Sequence, residues 1–490
     1  MNFKEHVKSD SPCRIIQFGE GNFLRAFADH LFCLADRSGS FKTTVRIIKP
    51  IPQGSVAAFE AQNCIYNVSE QGPSDTPATS PITLIDNIDG IVDPYEDFGR
   101  YLETADLPDL RFVVSNTTEA GITYLQEVIS SDHIASSFPA KVVQLLFRRF
   151  KTFGGDPSKG LIFLPCELID NNGSNLREIV LRHIEEGDYD SEFSKWVTGS
   201  CEFCNTLVDR IVIGRPSDPS AYYDVLGYSD ELLTVCEPFL LWVIASEKNI
   251  GSELKIGEQG KDVVFTDDIR PYRERKVRIL NGVHTCITPA SLLAGYQYVH
   301  EAVNDDLIKR YIAGLINSEI VPSIRLSHED LIIYADSVLE RFRNPSLNHR
   351  LVSISLNTVS KWTARVLPSL TDRIKTEHQL PERIVFSFAA MFVFYVNGST
   401  CRDRFFNASA FPDIGISDTE EVRDFFSSAA ERKYSDASYD LQDLLTDFCS
   451  NTSFWGTDLL EIKGFVEMSM KFAGKIISYG TYSVLKELLS

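Results

Sequence analysis

Two hydrophobic patterns divide this 490-residue chain, and they meet near residue 270. Before that point, short strand-like runs alternate with helix-like ones. The strand-like runs are Arg14–Phe18, Val45–Ile48, Ile82–Ile85, Phe112–Ser115, Leu161–Leu164 and Leu207–Ile213. Between them, Leu24–Ala35, Pro139–Phe150 and Asn175–Ile184 carry apolar residues at helical spacing. Asn175, with Glu178 three residues on, has the spacing of a capping box. Such alternation implies a parallel sheet covered by helices, with ligands at the carboxyl ends of its strands. Beyond about residue 276 the helical period dominates, in Thr285–Tyr298, Asp305–Ile316, His328–Phe342, Leu351–Ile374, Glu382–Tyr395 and Thr419–Arg432. The junction, 267–273, contains Pro271. The expected fold is therefore an α/β domain over 1–275 with a mostly parallel sheet, followed by an all-α domain over 276–490.

The first strand runs into a tight turn, Gly19-Glu-Gly-Asn22, and then into a helix from Phe23. Strand, glycine turn and helix form the opening of a Rossmann-like dinucleotide-binding unit. Glycine lets the backbone approach a pyrophosphate, which the positive helix N-terminus attracts. A third glycine would fall at residue 24, where the chain has Leu24. The second strand also lacks a terminal acid to hold the ribose hydroxyls of NAD, and carries Arg46 and Lys49 instead. That leaves NADP open beside NAD.

At the start of the second domain, Lys276, Asn281 and His284 fall within one run. On a regular α-helix, Asn281 and His284 share a face. Lys276 is then rotated by roughly 140° from Asn281, so it is expected before or at the helix start, facing the cleft between domains. An amine that exchanges a proton, beside an amide that holds a carbonyl oxygen, suits reversible carbonyl reduction. Arg270, Arg273, Arg275 and Arg278 crowd the lysine. They read as a solvated basic face, or as a positive patch that lowers the lysine pKa.

The net charge of −20 argues against nucleic acid and anionic membranes as partners. It leaves room for a small anionic substrate, which reads only local charge. Ten cysteines are scattered, and the lone pair Cys201-Glu-Phe-Cys204 falls short of a metal site. No bound metal is expected. The longest apolar run, Ile384–Val396, is too short to span a bilayer and reads as a buried helix. The N-terminal stretch is not a signal peptide, and a cytoplasmic location is expected.

Several stretches resemble the long-chain mannitol dehydrogenase family of polyol and uronate dehydrogenases. They include Ile15–Phe27, Arg111–Gly121, Pro165–Asp170, Phe203–Ile211, Tyr272–Thr285 and Arg341–Pro345. Two of these, Ser115-Asn-Thr-Thr-Glu-Ala-Gly121 and Pro165-Cys-Glu-Leu-Ile-Asp170, point to the uronate branch. The resemblance implies metal-independent hydride transfer between a nicotinamide and a ketone. Lys276 is the implied general acid and base, Asn281 polarises the carbonyl, and His284 orients substrate or lysine. Phe18, Gly19, Gly21, Asn22 and Phe23 are implied at the pyrophosphate, Asn116 and Glu119 near the nicotinamide ribose, and Asp209 beside the cofactor. Arg210 is implied at the substrate. Mannitol enzymes place a second carbonyl-binding Asn where this chain has Leu168, and an Asp and an Arg where it has His349 and Ser353. A uronate carries a carboxylate at that end, so His349, Lys361 and Arg365 are expected to bind it. Tagaturonate is the expected substrate, with fructuronate or a polyol such as mannitol as alternatives. The family leans to monomers or weak dimers. Other readings are a nucleotide-binding regulator without turnover and a decarboxylating sugar-acid dehydrogenase.

Overall fold

In strand β1 (Cys13–Phe18), Ile15 and Ile16 point to opposite faces and both are buried. A strand buried on both faces needs a layer of helices on each side. The computed structural model describes the chain except residues 1, 2, 4, 118, 119, 258–260, 348, 406–410 and 413. Its further strands are β2 (Thr44–Ile48), β3 (Tyr66–Glu70), β4 (Ile82–Ile85), β5 (Ile88–Val92), β6 (Phe112–Ser115), β7 (Ile162–Pro165) and β8 (Glu202–Phe203). Then follow β9 (Asn205–Asp209), β10 (Val212–Gly214), β11 (Thr234–Cys236), β12 (Leu241–Ala245) and β13 (Asp262–Thr266).

Six strands form one sheet in the order β5-β2-β1-β6-β7-β8, and every pair in it is parallel. Counted within that sheet the order is 3-2-1-4-5-6, the doubly wound arrangement in which the strand order reverses between β1 and β6. Ile15, Val45, Phe112 and Leu164 pack into one core with the helical segment 22–38 and with Trp242. Ile16, Phe18, Val113 and Phe163 pack into the other with helices Phe138–Thr152, Asn172–Glu186 and Ser191–Ser200. Two smaller sheets, β10-β11-β3-β4 and β13-β12-β9, complete this part of the chain.

The chain divides into two compact units, Met1–Arg270 and Pro271–Ser490. The second is helical. Its helix Glu382–Asn397 is buried from Ile384 to Asn397, because helices Gly282–Leu293 and Phe465–Tyr479 pack against it. A helix apolar all round has no solvent face to offer. Among the described residues, no helix is long and apolar enough to cross a membrane.

Three local expectations need correction. The third helix starts at Asn172 and not at Asn175. Its N-cap Asn171 sits in the left-handed region at φ 53° without a side-chain cap, and Asn175 Nδ2 donates to Asp170 O at 2.9 Å. The run 351–374 is not one helix. Asn357, at φ 52°, separates Leu351–Ile354 from Thr358–Arg365, and Pro368 lies in the first turn of the next helix, Leu367–Glu377. Finally, Leu207–Ile213 is two strands, since it breaks at Arg210 where β9 and β10 join different sheets.

Candidate active site

In the first unit, the glycine turn leaves β1 beside the end of β6. Gly19 has φ +127°, and a Cβ there would meet Asn116 O and Leu24 Cδ1, each at 3.1 Å. Only glycine fits that backbone. At Gly21 a Cβ would meet nothing within 4 Å, so space is open in front of the helix start at Asn22. The first N–H groups of a helix have no partner within it, and they carry partial positive charge. Such a helix start could hold a pyrophosphate. Phe18 itself is fully buried beneath the turn, and Phe23 stacks on Phe27 at 4.9 Å. Asn22 is held by Arg25, whose guanidinium donates to its Oδ1, and it packs where Gly214 has no side chain.

The ends of the strands are tied together by main chain. Gly19 N donates to Ile48 O (3.1 Å), Asn116 N to Phe18 O (3.1 Å) and Cys166 N to Ser115 O (2.7 Å). Asn116 thus lies beside the glycine turn. Glu119 lies outside the described residues. Asp209 ends β9 and is buried.

The two cations of the second strand are already matched. Arg46 makes a two-pronged contact with Asp89 of β5 (2.6 and 3.2 Å), and the buried Lys49 reaches Asp93 at 2.6 Å. The acids at this edge come from the neighbouring strand and the residue after it, which local reading of β2 could not reveal. Arg210 is a clear correction. Its guanidinium donates to Glu237 O, Ala26 O and His30 Nδ1 and is ion-paired with Glu70, with the side chain wholly buried. With all its N–H groups so engaged, it has no donor left for a sugar and serves as a strut between strands.

In the second unit, Lys276–Asn281 is a π-helical turn that runs directly into helix Gly282–Leu293. Hydrogen bonds from i to i+5 stack residues five apart one above the other. Lys276 and Asn281 are thereby aligned inside a continuous helix that begins at Arg270, and the expectation that Lys276 sits before or at the helix start is wrong. His284 follows on the same face.

His284 is 7% exposed, and its ring stacks on Phe342 at 3.8 Å and meets His349 edge-on at 5.4 Å. Helices His328–Phe342 and Thr358–Arg365 pack around the π turn, and Leu351–Ile354 packs on the helix that follows it. Burial, and then the positive charge of His349, Arg341, Arg365 and Lys361, hold the His284 imidazole well below its usual pKa. No polar atom among the described residues bonds its Nε2. Burial and Arg341 lower His349 as well, and burial followed by Arg365 lowers Lys361. Lys361 Nζ donates to Ile354 O at 2.9 Å, while Arg365 reaches Thr285 Oγ1 at 3.5 Å. The structure therefore brings His349, Lys361 and Arg365 together around His284. It adds Arg341, which is buried and which the sequence marked only as the first residue of the family-like stretch Arg341–Pro345.

Two of the arginines around Lys276 are ion-paired. Arg270 pairs with Asp268, and Arg278 with Glu274 and Asp372. Arg275 lies over Tyr334 at 4.2 Å.

Residues 13–258 match the mannitol dehydrogenase Rossmann domain, and residues 268–472 the mannitol dehydrogenase C-terminal domain. The chain belongs to the mannitol dehydrogenase family. It is an oxidoreductase acting on CH–OH groups. It is similar to an altronate oxidoreductase of Enterobacter sp. (strain 638), at 38% identity over 97% of each chain. A second relative of that name, from Phocaeicola vulgatus, is 39% identical over 81% of this chain and 83% of its own. Another, from Escherichia coli O1:K1 / APEC, is 36% identical over 100% of this chain and 99% of its own. Two solved structures share the family fold. One is Pseudomonas fluorescens mannitol 2-dehydrogenase in ternary complex with NAD and D-mannitol, at TM-score 0.66 and 20% identity, covering 99% of this chain and 96% of that one. The other is a D-sorbitol dehydrogenase, at TM-score 0.76 and 21% identity, covering 98% and 96%.

Proposed function

We propose that this mannitol dehydrogenase family member reduces tagaturonate to altronate, reversibly and with NADH. The carrying observation is the group of cationic and imidazole side chains, Arg341, His349, Lys361 and Arg365, gathered around a neutral His284. A neutral polyol needs no such field, whereas a uronate brings a carboxylate for it. Near full-length similarity to altronate oxidoreductases supports the same choice.

The proposed division of labour has a cofactor domain up to residue 275 and a substrate domain after it. Phe18, Gly19, Gly21, Asn22 and Phe23 form the cradle for a pyrophosphate, with Asn116 and Asp209 at the nicotinamide side. A bound nicotinamide supplies or accepts the hydride. NAD is favoured over NADP because Arg46 and Lys49, the cations of β2 and its end, are already paired with Asp89 and Asp93 and so would be poor partners for a 2′-phosphate. In the second unit, Asn281 donates to the ketone oxygen and Lys276 gives its proton to the alkoxide as charge develops there. His284 stays neutral, so it accepts or donates a hydrogen bond to a sugar hydroxyl without serving as the acid. His349, Lys361 and Arg365 take the carboxylate through charge-assisted bonds.

The test follows nicotinamide absorbance with tagaturonate, fructuronate and fructose, each with NADH and with NADPH. Rapid turnover restricted to tagaturonate and NADH is expected. Equal rates on fructose would refute carboxylate recognition. The Lys276→Ala variant should lose at least about 100-fold in kcat while NADH affinity stays near that of the parent. Retained kcat at neutral pH would remove Lys276 from the proton-transfer role.

A further inference from the structure

Glu167 belongs to neither the nucleotide turn nor the lysine site, yet it is only 2% exposed and its carboxylate is fully used. It follows β7 and accepts three bonds from the neighbouring strand end. These come from Ser115 Oγ at 3.0 Å, Thr117 N at 3.0 Å and Thr117 Oγ1 at 2.9 Å. Its own main chain is anchored in turn. Asn172 Nδ2 donates to Glu167 O (3.1 Å), Pro165 O (3.0 Å) and Thr206 O (3.2 Å), which laces the ends of β7 and β9 together.

Asn116 is the residue between the two that Glu167 holds. Its N–H bonds Phe18 O at 3.1 Å, its Nδ2 reaches Cys166 O at 3.4 Å, and its carbonyl oxygen packs against Gly19. The segment 115–117 thus lies against the glycine turn at the switch point of the sheet, where doubly wound folds bind dinucleotides. Its position depends on one buried acid that receives three donors. Burial raises the Glu167 pKa, and the bonds from Thr117 and Ser115 oppose that rise.

We propose that Glu167 is a positioning residue that sets Asn116 for the nicotinamide half of the cofactor. This rests on the dinucleotide reading above. Truncation to alanine leaves three donors without their acceptor, and segment 115–117 loses its fixed place. A glutamine keeps most of the arrangement. Its Oε1 still accepts from Thr117, and its Nε2 donates to Ser115 Oγ.

The experiment measures binding of NADH and of ADP to the full chain, together with kcat and KM, for the parent, Glu167→Ala and Glu167→Gln. ADP has the pyrophosphate and adenosine but no nicotinamide. In Glu167→Ala, NADH affinity and kcat should each fall by about tenfold or more while ADP affinity holds. Glu167→Gln should recover both to within about threefold of the parent. Unchanged NADH affinity and kcat in Glu167→Ala would overturn the proposal. Equal loss of NADH and ADP would also overturn it, as the mark of a general collapse of the domain. If Glu167→Ala does not fold, Ser115→Ala and Thr117→Val remove the bonds singly. Graded, selective loss of NADH affinity is then expected, and no loss in either refutes the role. A parent protein that binds ADP and NADH no better than a control protein would sink the dinucleotide reading itself.

Discussion

Asp29 lies under the glycine turn with its carboxyl group fully buried. Its Oδ2 accepts from Tyr66 Oη at 2.5 Å and from Gln17 Nε2 at 3.3 Å, and the same Nε2 reaches Gly19 O at 3.0 Å. Burial pushes its pKa from 3.8 up to about 7, against the pull of Tyr66, Gln17 and Arg25. Between those values the folded chain keeps a proton that the unfolded chain has released. This acid therefore lowers stability progressively as pH rises from 3.8 to about 7. The full loss is on the order of 4 kcal/mol. Asp29→Asn removes that term, and its amide oxygen can still accept from Tyr66 Oη and Gln17 Nε2. The variant should gain stability over the parent by a few kcal/mol more at about pH 8 than at about pH 5 in urea unfolding. An equal difference at the two pH values would show that Asp29 is not protonated in the native state. His284 acts in the opposite sense. Its depressed pKa means that the unfolded chain takes up a proton below 6.5 that the folded chain refuses, so stability from this group rises with pH up to that value.

The π turn Lys276–Asn281 holds one residue more than an α-helical turn would need. Inserting an alanine after Val277 would set Lys276 six residues before Asn281, about 120° away from it on a regular helix. We expect kcat to fall by about 100-fold or more, with circular dichroism still reporting a folded helical chain. Turnover near that of the parent would show that the lysine does not depend on its alignment with Asn281. The identities of the three residues were legible in the sequence, but their phase was not. A hydrophobic period averages over many turns, and a single π turn leaves it almost unchanged. Strands β3 and β5 were missed for a related reason. β3 is buried along its whole length and contains Asn67, Ser69 and Glu70, and β5 contains Asp89 and Gly90, so neither shows the simple apolar run of a core strand. Their polar groups are satisfied by distant partners. Asp230 accepts from Asn67 N at 2.7 Å, and Asp89 pairs with Arg46.

Across the whole molecule, the parallel sheet and both of its cores are built from residues before 257. Lys276, Asn281 and His284 all belong to the unit Pro271–Ser490. A fragment of residues 1–270 should therefore fold and bind NADH within about tenfold of the full chain, with no turnover. Calorimetric titration of the fragment checks this, and a fragment that folds without binding NADH would assign part of the cofactor site to the second unit.

What the sequence determined alone was whatever depends on near neighbours along the chain. The alternation of runs declared the parallel sheet, and the all-helical pattern declared the second unit. Gly19 and the Lys276, Asn281 and His284 trio suggested the proposed chemistry by residue type. Charge pairing was decided by tertiary structure, because electrostatic partners are chosen by distance in space. Arg46 and Lys49 read as free cations until Asp89 and Asp93, more than forty positions away, neutralised them. Arg210 read as a substrate ligand until Glu70 and the carbonyls of Ala26 and Glu237 engaged its guanidinium. His349, Lys361 and Arg365 became a group only when the segment before helix Leu351–Ile354 and the helix Thr358–Arg365 brought their side chains to one buried imidazole.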